Sequence, residues 1–110
     1  MAYEKEIIDN NITLFRGDCL EVLPTISDES IDLIFIDPPY NVGQKFANEN
    51  LKDEDYLILF KKWISELYRI LKPTGAFYMT YYHKKLFDIG KILTSFDWTF
   101  ANLIFGLTEI

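Results

Sequence analysis

The sequence predicts an α/β fold, a mostly parallel sheet flanked by helices, and three observations carry that expectation. Residues 31–36, Ile-Asp-Leu-Ile-Phe-Ile, form a short and nearly unbroken apolar run, as expected of a central strand covered on both faces. Tyr56, Phe60, Trp63, Leu67, Ile70 and Leu71 recur at three- and four-residue steps, the apolar stripe of a long amphipathic helix. A second strand-like run occupies residues 76–81, beyond Pro73 and Gly75. Strands separated by helices point to parallel pairing through crossovers.

Taken in order, residues 11–16 read as a strand and residues 19–23 as a short helix broken by Pro24. The central strand at residues 31–36 is followed by a polar loop over residues 40–52, which contains Asn41, Gly43, Gln44, Asn48 and Asn50. Asp53, Glu54 and Asp55 open the long helix, with three acids at the positive end of its dipole. Pro73 and Gly75 stop it. Residues 83–96 read as a second amphipathic helix with Leu86, Ile89, Leu93 and Phe96 inward, and residues 98–105 as a last strand. No repeat, low-complexity tract or linker divides the chain, so residues 1–110 are expected to form a single domain.

Composition narrows the class. The chain is 49% hydrophobic and 16% aromatic, enough to build a core. One cysteine, Cys19, excludes an internal disulfide and fits a reducing cytoplasm. The mixed-charge opening Met1-Ala2-Tyr3-Glu4-Lys5-Glu6 is unlike a secretory signal, and no apolar stretch reaches the ~20 residues that span a bilayer. A soluble cytoplasmic protein with no membrane association is the expectation. Net charge −6 and a pI near 4.6 give no general attraction to phosphates. Lys61-Lys62 reads as the solvated face of a helix, and His83-Lys84-Lys85 follows a strand end.

The central strand ends at Asp37-Pro38-Pro39-Tyr40. Ligands of open α/β sheets bind at the carboxyl ends of strands, so Asp37 should face a crevice, where its carboxylate accepts a hydrogen bond from an amino group. Pro38 and Pro39 have no N–H and end the ladder, which leaves the Pro38 carbonyl as a second acceptor. Tyr40 adds a stacking face. Two acceptors and a ring suit a flipped nucleobase bearing an exocyclic amine, adenine or cytosine.

These residues resemble the motif Asp/Asn/Ser-Pro-Pro-Tyr/Phe/Trp of the amino-group DNA methyltransferases, which methylate adenine N6 or cytosine N4 with S-adenosylmethionine. Gly17-Asp18-Cys19, with Leu20-Glu21-Val22-Leu23 after it, resembles the opening segment of the subgroup whose catalytic half precedes its cofactor half. Leu71-Lys72-Pro73-Thr74-Gly75 also matches in place. The resemblance covers essentially the whole chain and implies a partial Rossmann-like methyltransferase fold. It implies catalytic roles for Asp37, Pro38, Pro39 and Tyr40, and a place near the cofactor for Asp18 and Cys19. The Asp-initial motif is commoner among adenine N6 enzymes.

The family's Phe-x-Gly-x-Gly cofactor loop has no counterpart, because the glycines at 17, 43, 75, 90 and 106 are isolated. The resemblance therefore implies an amino-terminal catalytic portion without most of its methyl-donor site, inactive alone, with DNA as substrate of the full enzyme. Three origins stay open: a truncated enzyme, half of a split enzyme whose second chain supplies cofactor loop and target recognition, or a different class. The last comprises a non-catalytic binding module and an RNA or protein methyltransferase; a protein-glutamine enzyme would carry Asn where Asp37 stands. Family members commonly continue from the last strand into tryptophan and a basic residue, whereas this chain reads Phe105-Gly106. With a TTT codon at Phe105, the Phe105-Gly106 run TTT-GGN contains TGG in a shifted frame, so a frameshift there is the expectation for a truncated gene.

Each residue also has a plainer reading. Asp18 suits a helix N-cap. Tyr81 and Tyr82 are either pocket lining or packing. His83 reads as a polar turn residue rather than a base, and Cys19 as a small packing residue. The loop at residues 40–52, with Gly43 as hinge, is a candidate lid over the base.

Overall fold

The computed structural model describes residues 3–41 and 51–103, the side chain of His83 excepted. Strand β1 (Tyr3–Asp9) pairs antiparallel with β2 (Ile12–Gly17) through a tight turn in which the Asn11 N–H donates to the Asp9 carboxylate, 2.6 Å. Helix α1 (Cys19–Val22) runs into a 3-10 turn, Leu23–Thr25, with Pro24 in its first turn. Strand β3 (Ile31–Ile36) is followed by helix α2 (Asp53–Ile70), strand β4 (Leu71–Met79), a 3-10 turn at His83–Lys85 and helix α3 (Leu86–Leu93).

β3 and β4 are parallel and α2 connects them, the βαβ unit that the sequence predicts. Helix α2 supplies most of the core. Tyr56, Phe60, Trp63, Ile64, Leu67 and Ile70 are buried along one face, together with Leu23, Ile34 and Ile89. Tyr56, Phe60 and Trp63 meet ring to ring at centroid distances of 6.1–6.3 Å. Arg69 ties the end of this helix to the segment before β3: its guanidinium donates to the carbonyls of Ile26 and Leu23, both 2.9 Å, and to the carboxylates of Asp28, 2.6 Å, and Glu66, 2.7 Å. These carboxylates raise the Arg69 pKa further above its ordinary value. Lys61 and Lys62 lie on the exposed face, as expected.

Four expectations need correction. The helices cover one face of β3, not two: Ile34 is buried, whereas Leu33 and Phe35 are 60% and 66% exposed and Tyr78 on β4 is 56% exposed. Successive strand residues point to opposite faces, and only the α2 side meets packing partners among the described residues. The sheet is also smaller, because β1–β2 forms its own two-stranded antiparallel sheet, separate from β3–β4; the strand at Tyr3–Asp9 has no forerunner in the sequence reading.

β4 begins five residues earlier than expected, directly at the end of α2. Ile31 pairs with Leu71 but Leu33 with Ala76, so residues 72–75 bulge, as the missing N–H of Pro73 requires. Finally, residues 98–103 are not a strand. The Trp98 indole N–H turns back to the Leu93 carbonyl at 2.5 Å and its ring packs on Phe77, 4.9 Å, and residues 98–103 pair with no strand. Residues 42–50, with the expected hinge at Gly43, and residues 104–105 lie outside the described residues.

Candidate active site

The site forms where β3 and β4 end side by side. Ile36 pairs with Met79, and the Thr80 N–H donates to the Ile36 carbonyl at 3.1 Å, so Thr80 stands beside Asp37. The Thr80 hydroxyl donates to Asp37 Oδ1 at 2.5 Å, and the Tyr40 hydroxyl donates to the same oxygen at 2.7 Å. The two hydroxyl oxygens are 3.2 Å apart. Asp37 is exposed, and these hydrogen bonds, that from Thr80 foremost, hold its carboxyl below the ordinary carboxylate range. It is therefore an anionic acceptor at neutral pH.

Behind the carboxylate, tyrosines fix the turn. The Tyr81 hydroxyl donates to the Tyr56 hydroxyl at 2.5 Å, and the Tyr56 hydroxyl donates to the Pro39 carbonyl. Tyr40 packs on Tyr81 with ring centroids 5.0 Å apart at 53°, and Tyr81 meets Phe60 edge to face at 5.8 Å. Asn41 then closes the base of the following loop. Its side-chain amide donates to the Leu51 carbonyl and accepts from the Leu51 N–H, both 2.9 Å, with the residue 8% exposed and φ at 59°. Lys85 pairs with Asp53, 3.0 Å, and lies 5.8 Å from the Tyr56 ring centroid.

The structure thus gathers Asp37, Pro39 and Tyr40 with Thr80, Tyr81 and Tyr56. Tyr81 serves both readings weighed for it, packing and site wall. Sequence reasoning missed Thr80 and Asn41. It placed Tyr56 in the core without its hydroxyl, although a tyrosine on a buried helix stripe demands a polar partner. Asn41 carried a signal, since Asn tolerates left-handed φ and bonds backbone groups nearby.

Asp18 and Cys19 stand apart from this group. Asp18 caps α1 by accepting from the Leu20 N–H at 2.9 Å, the plainer role considered for it. Burial first, and then the Asp18 carboxylate, push the Cys19 thiol above its ordinary pKa, the reverse of a reactive thiolate. No hydrogen bond, ion pair or ring contact joins either residue to Asp37 among the described residues. A hollow of about 420 Å³ between α2 and α3, lined by Leu57, Ile58, Lys61, Asp88, Lys91 and Ile92, reaches neither place. The cap leaves a place near a cofactor open to Asp18 and Cys19, and the described residues show no enclosed cavity beside them that would hold S-adenosylmethionine. No group of three or more His, Cys, Asp or Glu side chains among them is arranged to hold a metal ion, and none of their helices is long and apolar enough to cross a membrane.

Comparison with known proteins gives the family. The family model described as DNA methylase matches residues 31–106. Type II methyltransferase M.BamHI of Bacillus amyloliquefaciens is 34% identical over 105 residues, covering 86% of this chain and 24% of its own length. Type II methyltransferase M.HinfI of Haemophilus influenzae is 34% identical over 116 residues, covering 88% of this chain and 32% of its own. DNA adenine methyltransferase YhdJ of Escherichia coli K12 is 41% identical over 69 residues, 61% of this chain and 24% of its own. The chain therefore spans about a quarter to a third of these relatives.

Proposed function

Since the chain belongs to the DNA methylase family, we propose that it is the amino-terminal catalytic portion of a DNA adenine-N6 methyltransferase, inactive alone. The observation that carries this reading is the ionised Asp37 carboxylate held at the shared end of two parallel strands by Tyr40 and Thr80. The adenine amino nitrogen is conjugated with its ring and weakly nucleophilic. Asp37 and the Pro38 carbonyl accept its two hydrogens, which favours a more tetrahedral nitrogen with a directed lone pair. The chain's contribution is orientation and electrostatics. Tyr40 flanks the base, with Tyr81 behind it. The Asp-initial motif and the name of the Escherichia coli relative favour adenine over cytosine.

S-adenosylmethionine supplies the methyl group in the whole enzyme, and DNA is the substrate. The chain matches about a quarter to a third of its relatives' length, and we assign the rest of the methyl-donor site and target recognition to sequence outside that match. A second chain carrying them is the alternative to truncation, and the exposed apolar face of Leu33, Phe35 and Tyr78 is compatible with both, since continued sequence or a partner could cover it.

The test is transfer of labelled methyl to unmethylated DNA, by this chain alone and by a chimera in which it replaces the matching segment of the Haemophilus influenzae relative. The chain alone should transfer nothing, and the chimera should methylate adenine N6 in a way that Asp37→Ala abolishes. Transfer by the chain alone would overturn the partial-site reading, and transfer indifferent to Asp37→Ala would overturn the role of the carboxylate.

A further inference from the structure

We propose that Thr80 is a positioning residue for Asp37: from the end of the neighbouring strand its hydroxyl holds Oδ1, so that Oδ2 is presented to the amino group of the base. The inference rests on the amino-holding reading of Asp37. Three observations carry it. Both donors, Thr80 at 2.5 Å and Tyr40 at 2.7 Å, converge on the same oxygen, and Oδ2 receives neither bond. Thr80 is itself fixed by its backbone bond to Ile36, one step beyond the last strand pair. Its β-branched side chain is stiff about χ1, and the donor sits at the anchored end of β4, just past its last residue Met79. An exposed threonine at a strand end commonly satisfies only strand propensity; here the short bond to a motif carboxylate gives it a partner 43 residues away in sequence.

Without the Thr80 hydroxyl, Tyr40 alone restrains the carboxylate, and both oxygens sample the position facing the base. The direction of the Asp37 pKa agrees, with Thr80 its largest cause.

The experiment follows the Asp37 carboxyl carbon by NMR through a pH titration of the full 110-residue chain, for wild type, Thr80→Val and Thr80→Ser. 9-Methyladenine is the amino-bearing probe and 9-methylpurine its control. Thr80→Val is expected to move the Asp37 midpoint upward and to weaken 9-methyladenine about five- to tenfold, while Thr80→Ser restores both. An unmoved midpoint in a Thr80→Val chain with a native amide spectrum overturns the proposal. If Thr80→Val does not fold, Thr80→Ala decides by the same shift. Failure of the wild-type chain to bind 9-methyladenine, with the titration shift intact, overturns the reading of the site but supports the hold of Thr80 on Asp37.

Discussion

At the residue scale, the site depends on side chains whose chemistry is common but whose placement is not. Asn41 fills a left-handed position and spends both ends of its amide on the backbone of Leu51. Truncation to alanine leaves two backbone groups without their partner and puts a Cβ residue at positive φ without compensation. Asn41→Ala should therefore lower stability by about 2 kcal/mol, read from urea unfolding. Asp37 makes a pH prediction. Its folded pKa is depressed by Thr80 and Tyr40, so its stabilising contribution is complete above the unfolded value and is lost as pH falls through the folded one. Binding of 9-methyladenine should accordingly persist down through the ordinary carboxylate range and vanish below it. Loss of binding near the histidine range would point to a different group.

At the element scale, the βαβ unit is set by α2. The periodic stripe from Tyr56 to Ile70 was legible because the 3.6-residue repeat maps directly onto one buried face. Where α2 gives way to β4 was less legible. Pro73 and Gly75 mark a break, but the structure uses them inside an irregular strand. A Cβ on Gly75 would lie 2.6 Å from Leu71 Cδ1 and 2.9 Å from the Asp32 carbonyl oxygen, so β3 approaches too closely for a side chain. Leu71 can yield; the Asp32 backbone cannot without shifting the strand pair. Gly75→Ala should cost about 1–3 kcal/mol, measured by thermal unfolding, and should disturb β3 amide signals before those of the β1–β2 hairpin. The strand expected from residue 98 onward, which is absent over residues 98–103, shows the opposite error. Its apolar and aromatic content suits a strand, yet Trp98 finds its partners in Leu93 and Phe77, contacts that no local pattern encodes.

For the whole molecule, charge and exposed apolar surface act together. Net charge −6 opposes DNA binding by this chain on its own, while Leu33, Phe35 and Tyr78 leave one face of the parallel sheet open. The first property fits the proposal that other sequence of the enzyme supplies DNA contact; the second is a face on which further protein could pack. The double substitution Leu33→Thr and Phe35→Thr should reduce binding of a hydrophobic dye and any concentration-dependent self-association, without lowering the unfolding free energy by more than about 1 kcal/mol. A large loss of stability would show that these side chains are packed.

The sequence by itself determined the α/β class, the strand at residues 31–36, the helix that follows the acidic turn at residues 53–55, and the motif at residues 37–40. All of these are local: periodicity, a dipole-matched start and consecutive prolines act within a few residues. Only the tertiary structure decided that Thr80 and Tyr81 stand against a motif some 40 residues earlier, that the Tyr56 hydroxyl reaches Pro39, and that one sheet face lies open. Parallel strand register sets those meetings, and register follows from how α2 packs the two strands together rather than from the composition of either.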